Sequence, residues 1–123
     1  MPASQEVVEF IRSHFRSVWS LELLLHLRRH PDRFWSTPEL VEVLRASQAV
    51  VTTGIETLLA GGLIVVEKDG RARYAPANPD LERRVAETEE VYAVKPDAVR
   101  RLIVLSANSG VAAFADAFKL RRD

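Results

Sequence analysis

The sequence predicts a mainly α-helical fold of the α+β class, in which one small β-hairpin follows a run of helices. Apolar residues recur at helical spacing along most of the 123 residues, and hydroxyl or amide side chains precede several of these runs. One Asp-Gly pair separates two short β-prone segments. With 47% hydrophobic residues, the chain has enough apolar side chains to form a core, and its length fits one domain.

Two amphipathic helices are predicted in the first quarter of the chain. The first, over residues 4–15, has Val7, Ile11 and Phe15 on one face. The second, over residues 17–30, carries apolar side chains on two faces, of which one holds Trp19, Leu23 and Leu27, so that both must be covered. We expect the terminal helices or a second copy of the chain to cover the second of these faces.

The next two helices are predicted from their capping signals. Residues 36–39, Ser-Thr-Pro-Glu, combine a capping hydroxyl with a proline in the first turn and a glutamate at the third position. The helix they open runs to about residue 45, with Leu40, Val43 and Leu44 inward. Ser47 can cap another helix over residues 48–60. Its buried side is predicted to carry Val51, Ile55 and Leu58, and its outer side Gln48, Thr52, Thr53 and Glu56. Inside that helix, Gly54 costs about 1 kcal/mol relative to alanine, so it marks either a close backbone approach or a tolerated weak position.

A hairpin and further helices complete the prediction. Residues 63–66 and 71–75 are β-prone and are separated by Glu-Lys-Asp-Gly, which predicts a two-stranded antiparallel ribbon. Asn78 can open a charged helix that reaches about residue 92, and a further helix is predicted over residues 97–107. The last predicted helix carries the apolar residues Val111, Phe114 and Phe118, followed by the basic residues Lys119, Arg121 and Arg122.

The order of these elements resembles the winged helix-turn-helix fold over residues 17–77. The segment 51–64, VTTGIETLLAGGLI, is similar to the recognition helix and first wing strand of MarR-like transcriptional regulators. The resemblance implies a winged helix-turn-helix with extra N- and C-terminal helices. Residues 1–16 would then serve dimerisation or packing, and residues 78–123 would serve dimerisation or partner binding.

The resemblance also implies a function, which is that of a DNA-binding transcriptional regulator. The chain would be a cytoplasmic homodimer on double-stranded DNA, with helix 48–60 in the major groove and hairpin 63–76 as the wing. Carried over by position, the helix residues that face the bases are Ser47, Gln48, Thr52 and Thr53, the wing residues that contact phosphates are Lys68, Arg71 and Arg73, and Ser36 and Thr37 contact the DNA backbone.

The charge pattern keeps an alternative open, namely a winged-helix adaptor that binds another protein. The 17 basic and 17 acidic residues cancel, whereas a dedicated nucleic-acid binder often has a basic excess. No basic residue lies between Gln48 and Gly62, and Thr53 stands where MarR-like regulators commonly carry a basic residue. The C-terminal helices, with Phe114 and Phe118 beside basic residues, form either an interaction motif for such a partner or a dimer helix.

Catalysis, cofactors and membrane insertion are not expected. The chain lacks cysteine, a glycine-rich phosphate loop, and a serine with a histidine at motif spacing. No apolar run approaches the ~20 residues that span a bilayer, and the first 15 residues carry charges that a signal peptide would lack. Glu22, His26 and His30 share a helix face and could chelate a metal, but His30 at the helix end more simply complements the helix dipole.

Four aromatic residues leave a further choice open. Trp19, Phe34, Trp35 and Tyr74 could line a pocket for a small effector, or they could pack in the core. We expect core packing.

Overall fold

The computed structural model describes residues 4–107, and this part of the chain is mainly helical with one small antiparallel sheet, as predicted. No helix within that range is long and apolar enough to cross a membrane. The elements, in chain order, are α1 (Gln5–His14), α2 (Val18–Arg29), α3 (Thr37–Leu44), α4 (Gln48–Ala60), β1 (Ile64–Val66), β2 (Ala72–Tyr74), α5 (Pro79–Val94) and a helix α6 that occupies residues 96–107.

The helices begin where the capping residues predict. At the start of α3, Ser36 Oγ accepts from the amide of Glu39 at 3.3 Å, and the amide of Ser36 donates to Glu39 Oε1 at 2.8 Å. Ser47 Oγ accepts from the amide of Val50 at the start of α4, and Asn78 caps α5 in the same way. These bonds satisfy amides that have no partner inside a helix, so the polar side chain before each helix fixes where it begins.

The hairpin has the predicted turn and gains one rung that the sequence did not indicate. Strands β1 and β2 pair antiparallel, with Val65 opposite Arg73, and Gly70 takes a φ of 90° in the turn between them. Trp35 forms a single-residue β-bridge to Ala72 of β2, which we call the Trp35 rung. Its amide donates to the Ala72 carbonyl at 2.7 Å, and its carbonyl accepts from the Ala72 amide at 2.8 Å. The residues just before α3 are thereby fixed to the hairpin.

Helix α2 forms the centre of the core, and α4 packs closely against it. All five leucines of α2 are fully buried, and Val51, Ile55 and Leu58 of α4 are buried as predicted. A Cβ built on Gly54 would lie 3.0 Å from Leu23 Cδ2, so the glycine does mark a close approach.

Two apolar side chains predicted to face inward are exposed instead. Val43 of α3 is 47% exposed, and Trp19 of α2, which shares a predicted face with Leu23 and Leu27, is 43% exposed. In α3 only Leu40 is fully buried, because this helix of eight residues packs along one edge of the core. Trp19 lies in the first turn of α2, beside the first half of α4, and is only partly covered there.

The flanking helices share the central core. Phe10, Ile11 and Phe15 from the N-terminal side, and Val99 and Ile103 from α6, belong to the same buried cluster as the leucines of α2. Ion pairs and hydrogen bonds also join these helices, as between Glu6 and Arg84 and between Tyr92 and Glu22. The predicted helix around residues 111–118 lies outside the described residues.

Candidate interaction surface of helix α4 and the hairpin

Helix α4 presents one long face to solvent. The predicted outward residues Gln48, Thr52, Thr53 and Glu56 are all exposed. Ser47, also among the predicted DNA contacts, is exposed, but its hydroxyl oxygen accepts from the amide of Val50 as the helix cap. Ala49, Leu59 and Ala60 extend the exposed face to both ends of the helix.

The exposed face of α4 is almost free of charge. From Gln48 to Gly62, Glu56 is the one charged residue. Leu59 is 47% exposed, so the C-terminal half of the face is partly apolar. The helix therefore offers hydroxyl, amide and apolar groups to a partner, with one carboxylate near the middle.

Two of the three predicted wing cations are engaged by other side chains of the protein. Arg71 Nε donates to Asp69 at 2.8 Å, and Arg71 NH2 donates to Glu67 at 2.9 Å. The backbone amide of Arg71, together with its guanidinium, holds the pKa of Asp69 below its ordinary value. Arg73 is half-buried, and its guanidinium lies 5.0 Å from the ring centre of Phe34. Lys68 is exposed in the turn and makes no ion pair with the described residues.

The other predicted backbone contacts lie at the start of α3. Both Ser36 and Thr37 are half-buried, and Ser36 is already used by the capping box. The backbone amide of Ser36, followed by Arg33, lowers the pKa of Glu39 to about 2, so this carboxylate stays ionised and holds the cap. The nine predicted residues thus form three groups, on α4, on the hairpin and before α3.

A hollow in this surface lies beside Trp19, a residue for which the sequence favoured core packing over a place in a pocket. It has a volume of about 280 Å³, it is mostly apolar, and it lies between the start of α2 and the first half of α4. Its walls are Ser17, Trp19, Ala49, Val50 and Thr53. The helical periodicity of α2 had placed Trp19 in the core, which concealed this feature.

A second, more polar groove adjoins the hollow. It has a volume of about 510 Å³ and lies between the end of α1 and the second half of α4. The groove and the hollow are bordered by consecutive residues, Arg16 and Ser17. On α4 they are lined by Thr57 and Thr53, which lie one helical turn apart. The walls of the groove are Ser13, His14, Arg16, Glu56, Thr57, Ala60 and Gly61.

The remaining aromatic residues do not join Trp19 in one pocket. Trp35 packs against His26, with ring centres 4.5 Å apart, and Phe34 lies under Arg73. Tyr74 is buried, and its hydroxyl donates to Glu82 at 2.7 Å. The expected packing role therefore holds for Tyr74, but not for Trp19.

The helix face of Glu22, His26 and His30, which the sequence left as a less favoured metal site, is engaged by other side chains in the structure. Glu22 accepts a hydrogen bond from the Tyr92 hydroxyl, while His26 and His30 pack against Trp35. Among these residues no group of three or more acidic, histidine or cysteine side chains is placed to hold a metal ion.

Comparisons with family models, curated proteins and solved structures give no match to this chain. The function of the surface therefore has to be inferred from the residues that form it. These are a nearly neutral helix face, an exposed tryptophan beside an apolar hollow, and a hairpin whose arginines are largely engaged.

Proposed function

We propose that this chain is a winged-helix protein that binds another protein through α4 and the adjoining hollow at Trp19. The order of α2, the Trp35 rung, α3, α4 and the hairpin supports the winged-helix assignment, because that fold places a helix-turn-helix before a β-ribbon. The hairpin would then be the wing. The activity that we assign to the protein is binding and not catalysis.

The exposed tryptophan beside a nearly uncharged helix is the observation that carries the proposal. Protein interfaces are depleted in charge at their centre and enriched in aromatic residues, and tryptophan is prominent among the side chains that dominate binding energy. Trp19 together with Ala49 and Thr53 has this composition. Duplex DNA, in contrast, is bound largely through cations that neutralise phosphates, and α4 supplies none.

The surface indicates the chemistry of the partner. An apolar side chain fits the hollow beside Trp19, and a basic residue one or two turns further along α4 would meet Glu56. An amphipathic helix with an apolar face edged by positive charge satisfies both requirements. We therefore assign to the partner an amphipathic, basic segment.

Site-specific photocrosslinking tests this proposal in the cells that make the protein. A photoreactive phenylalanine analogue at Thr52 should give a protein adduct, whereas the same analogue at Glu90, exposed on α5, should not. Trp19→Ala in the Thr52 variant should abolish the adduct while leaving the circular dichroism spectrum unchanged. An adduct that survives Trp19→Ala, or equal adducts at both positions, would contradict the proposal.

A second candidate is the homodimeric DNA-binding regulator that the resemblance implies. The observation that favours it is the exposure of Gln48, Thr52 and Thr53 at the start of α4, where a recognition helix meets base edges, with Lys68 available in the turn. Fluorescence anisotropy with duplex DNA at 50 and 200 mM salt separates the candidates. A regulator should bind with an affinity that falls steeply with salt and weakens in Lys68→Ala, while the adaptor should show no such binding.

A further inference from the structure

The last described turn of α6 lies beside α1. Ser106 Oγ donates to the carbonyl oxygen of Arg12 at 3.4 Å. Arg12 directly precedes Ser13 and His14, which form one wall of the groove between α1 and α4. The last described residue, 107, therefore lies within about one helical turn of that groove.

The groove and the hollow together form a track along α4 that the following residues can reach. From Ala60 to Ala49 the track runs along about 16 Å of helix. Residues 108–123, sixteen in number, would cover about 24 Å as a helix and up to about 50 Å when extended. The segment is long enough to follow the track from its entrance to Trp19.

The composition of this segment complements the track. Val111, Phe114 and Phe118 recur at helical spacing, and three basic residues lie within the last five positions, 119–123. The track offers an apolar hollow at Trp19 and a carboxylate at Glu56. The segment thus has the chemistry that the preceding subsection assigns to a partner.

We infer that residues 108–123 dock in cis along α4, with phenylalanine side chains in the Trp19 hollow. A tether this short gives an effective concentration in the millimolar range, so even weak complementarity keeps the track occupied. If the proposed function holds, the segment competes with the partner and acts as an autoinhibitor. The docking itself does not depend on that function and is tested without any partner.

Amide spectra of the 15N-labelled full chain test the docking. The double substitution Phe114→Ser/Phe118→Ser should shift the Trp19 indole signal and the amides of Thr53 and Glu56. The matched control Ala113→Ser/Ala117→Ser should shift them at most half as far, and the turn amides of Lys68 and Gly70 should stay in place in both variants. Unmoved signals at Trp19 and α4 in the phenylalanine variant would overturn the inference.

A spin label distinguishes docking within one chain from docking between two, and it leaves the phenylalanines intact. Because the chain has no cysteine, Asp123→Cys provides a single labelling position. The 15N-labelled, spin-labelled chain should show broadened amides along α4. A mixture of 15N wild type with unlabelled, spin-labelled chain should show none. Broadening in the mixture would mean that a second copy is the occupant, and no broadening along α4 in either sample would mean that the segment does not dock on α4. Both results overturn the inference. Neither depends on the photocrosslinking result, so the two proposals can fail separately.

Discussion

Arg45 ends α3 in the left-handed conformation, with φ 55° and ψ 42°. This conformation costs a residue with a Cβ about 1–2 kcal/mol, whereas glycine adopts it readily. The side chain is exposed and makes no ion pair within the described residues. We therefore expect Arg45→Gly to raise the free energy of unfolding by about 0.5–1 kcal/mol, as measured by urea denaturation. Arg45→Ala keeps the Cβ and is the matched control. A gain in Arg45→Ala as large as in Arg45→Gly would contradict the explanation.

His26 links stability to pH. Burial first, and then the charges of His30, Arg29 and Arg33, lower the pKa of His26. Its ring packs edge-on against Trp35, and the buried Nε2 has no hydrogen-bond partner among the described residues. The folded state therefore favours the neutral ring, whereas the unfolded chain takes up a proton near pH 6.5.

The expected result is a loss of stability on acidification that begins near pH 6.5. Above that pH both states carry a neutral His26, so the residue adds no pH dependence. Below it the unfolded state binds more protons, and unfolding becomes easier until the folded pKa is passed. Urea midpoints measured from pH 7.5 to 5 should fall in the wild type and should fall less in His26→Phe. Equal slopes in the two proteins would rule out this role for His26.

At the scale of elements, Arg28 joins α2 to both the hairpin region and α5. It pairs with Glu82 at 2.9 Å and with Glu89, and Tyr74 of β2 donates to the same Glu82. Although burial alone would raise it, hydrogen bonds from Tyr74 and Arg28 hold the pKa of Glu82 below its ordinary value. The group thus connects three elements through partly buried, charge-assisted hydrogen bonds.

We expect Arg28→Leu to destabilise the protein by about 1–2 kcal/mol, between the values typical of exposed and of buried ion pairs. The Arg28 side chain is 24% exposed. Arg29 is the matched control, because it binds the same Glu89 but its side chain is 58% exposed. Arg29→Leu should cost less than about 0.5 kcal/mol in the same urea titration. Similar losses for both variants would show that the partial burial of Arg28 adds nothing.

The elements that the sequence predicted are those set by local interactions. The capping box at Ser36, the cap at Ser47 and the Asp69-Gly70 turn each depend on residues within four positions of one another. The Trp35 rung joins residues 37 positions apart, and Arg28 lies 54 positions from Glu82 and 61 from Glu89, so no spacing rule connects them. Periodicity fails in the same way at Trp19, because helical spacing does not say how closely the neighbouring helix covers each turn.

The candidate surface likewise has features that local spacing predicts and features that depend on tertiary packing. The exposed row on α4, from Gln48 to Glu56, follows from helical geometry alone, and the sequence located it correctly. Glu67 and Asp69 are close to Arg71 in the sequence, but it is the folded turn that brings them into ion pairs with it. The hollow at Trp19 needs the packing of α2 on α4, which a single sequence does not specify. The local geometry and the lack of basic residues on α4 were thus predictable, while the hollow that favours a protein partner was not.

At the scale of the whole molecule, the buried cluster takes residues from all three segments into which the sequence divides the chain. Phe15 comes from the first segment, Leu24 from the second and Ile103 from the third, and all three are almost completely buried. Helices that share one core lose their own packing when a neighbour unfolds. We therefore expect the described part of the chain to unfold as one cooperative unit.

Ile103→Ala tests this cooperativity, because the substitution and the fluorescent probes lie in different segments. Both tryptophans, Trp19 and Trp35, lie within residues 17–77, whereas Ile103 is fully buried in α6. The lost methyl groups should cost about 2–5 kcal/mol, and the urea midpoint seen by tryptophan fluorescence should fall together with the midpoint seen by far-ultraviolet circular dichroism. The neighbouring Val104 is 50% exposed, so Val104→Ala should shift neither midpoint appreciably. A circular dichroism transition that moves while the fluorescence transition stays would show that α6 unfolds independently, because the core around α2 would then survive without it.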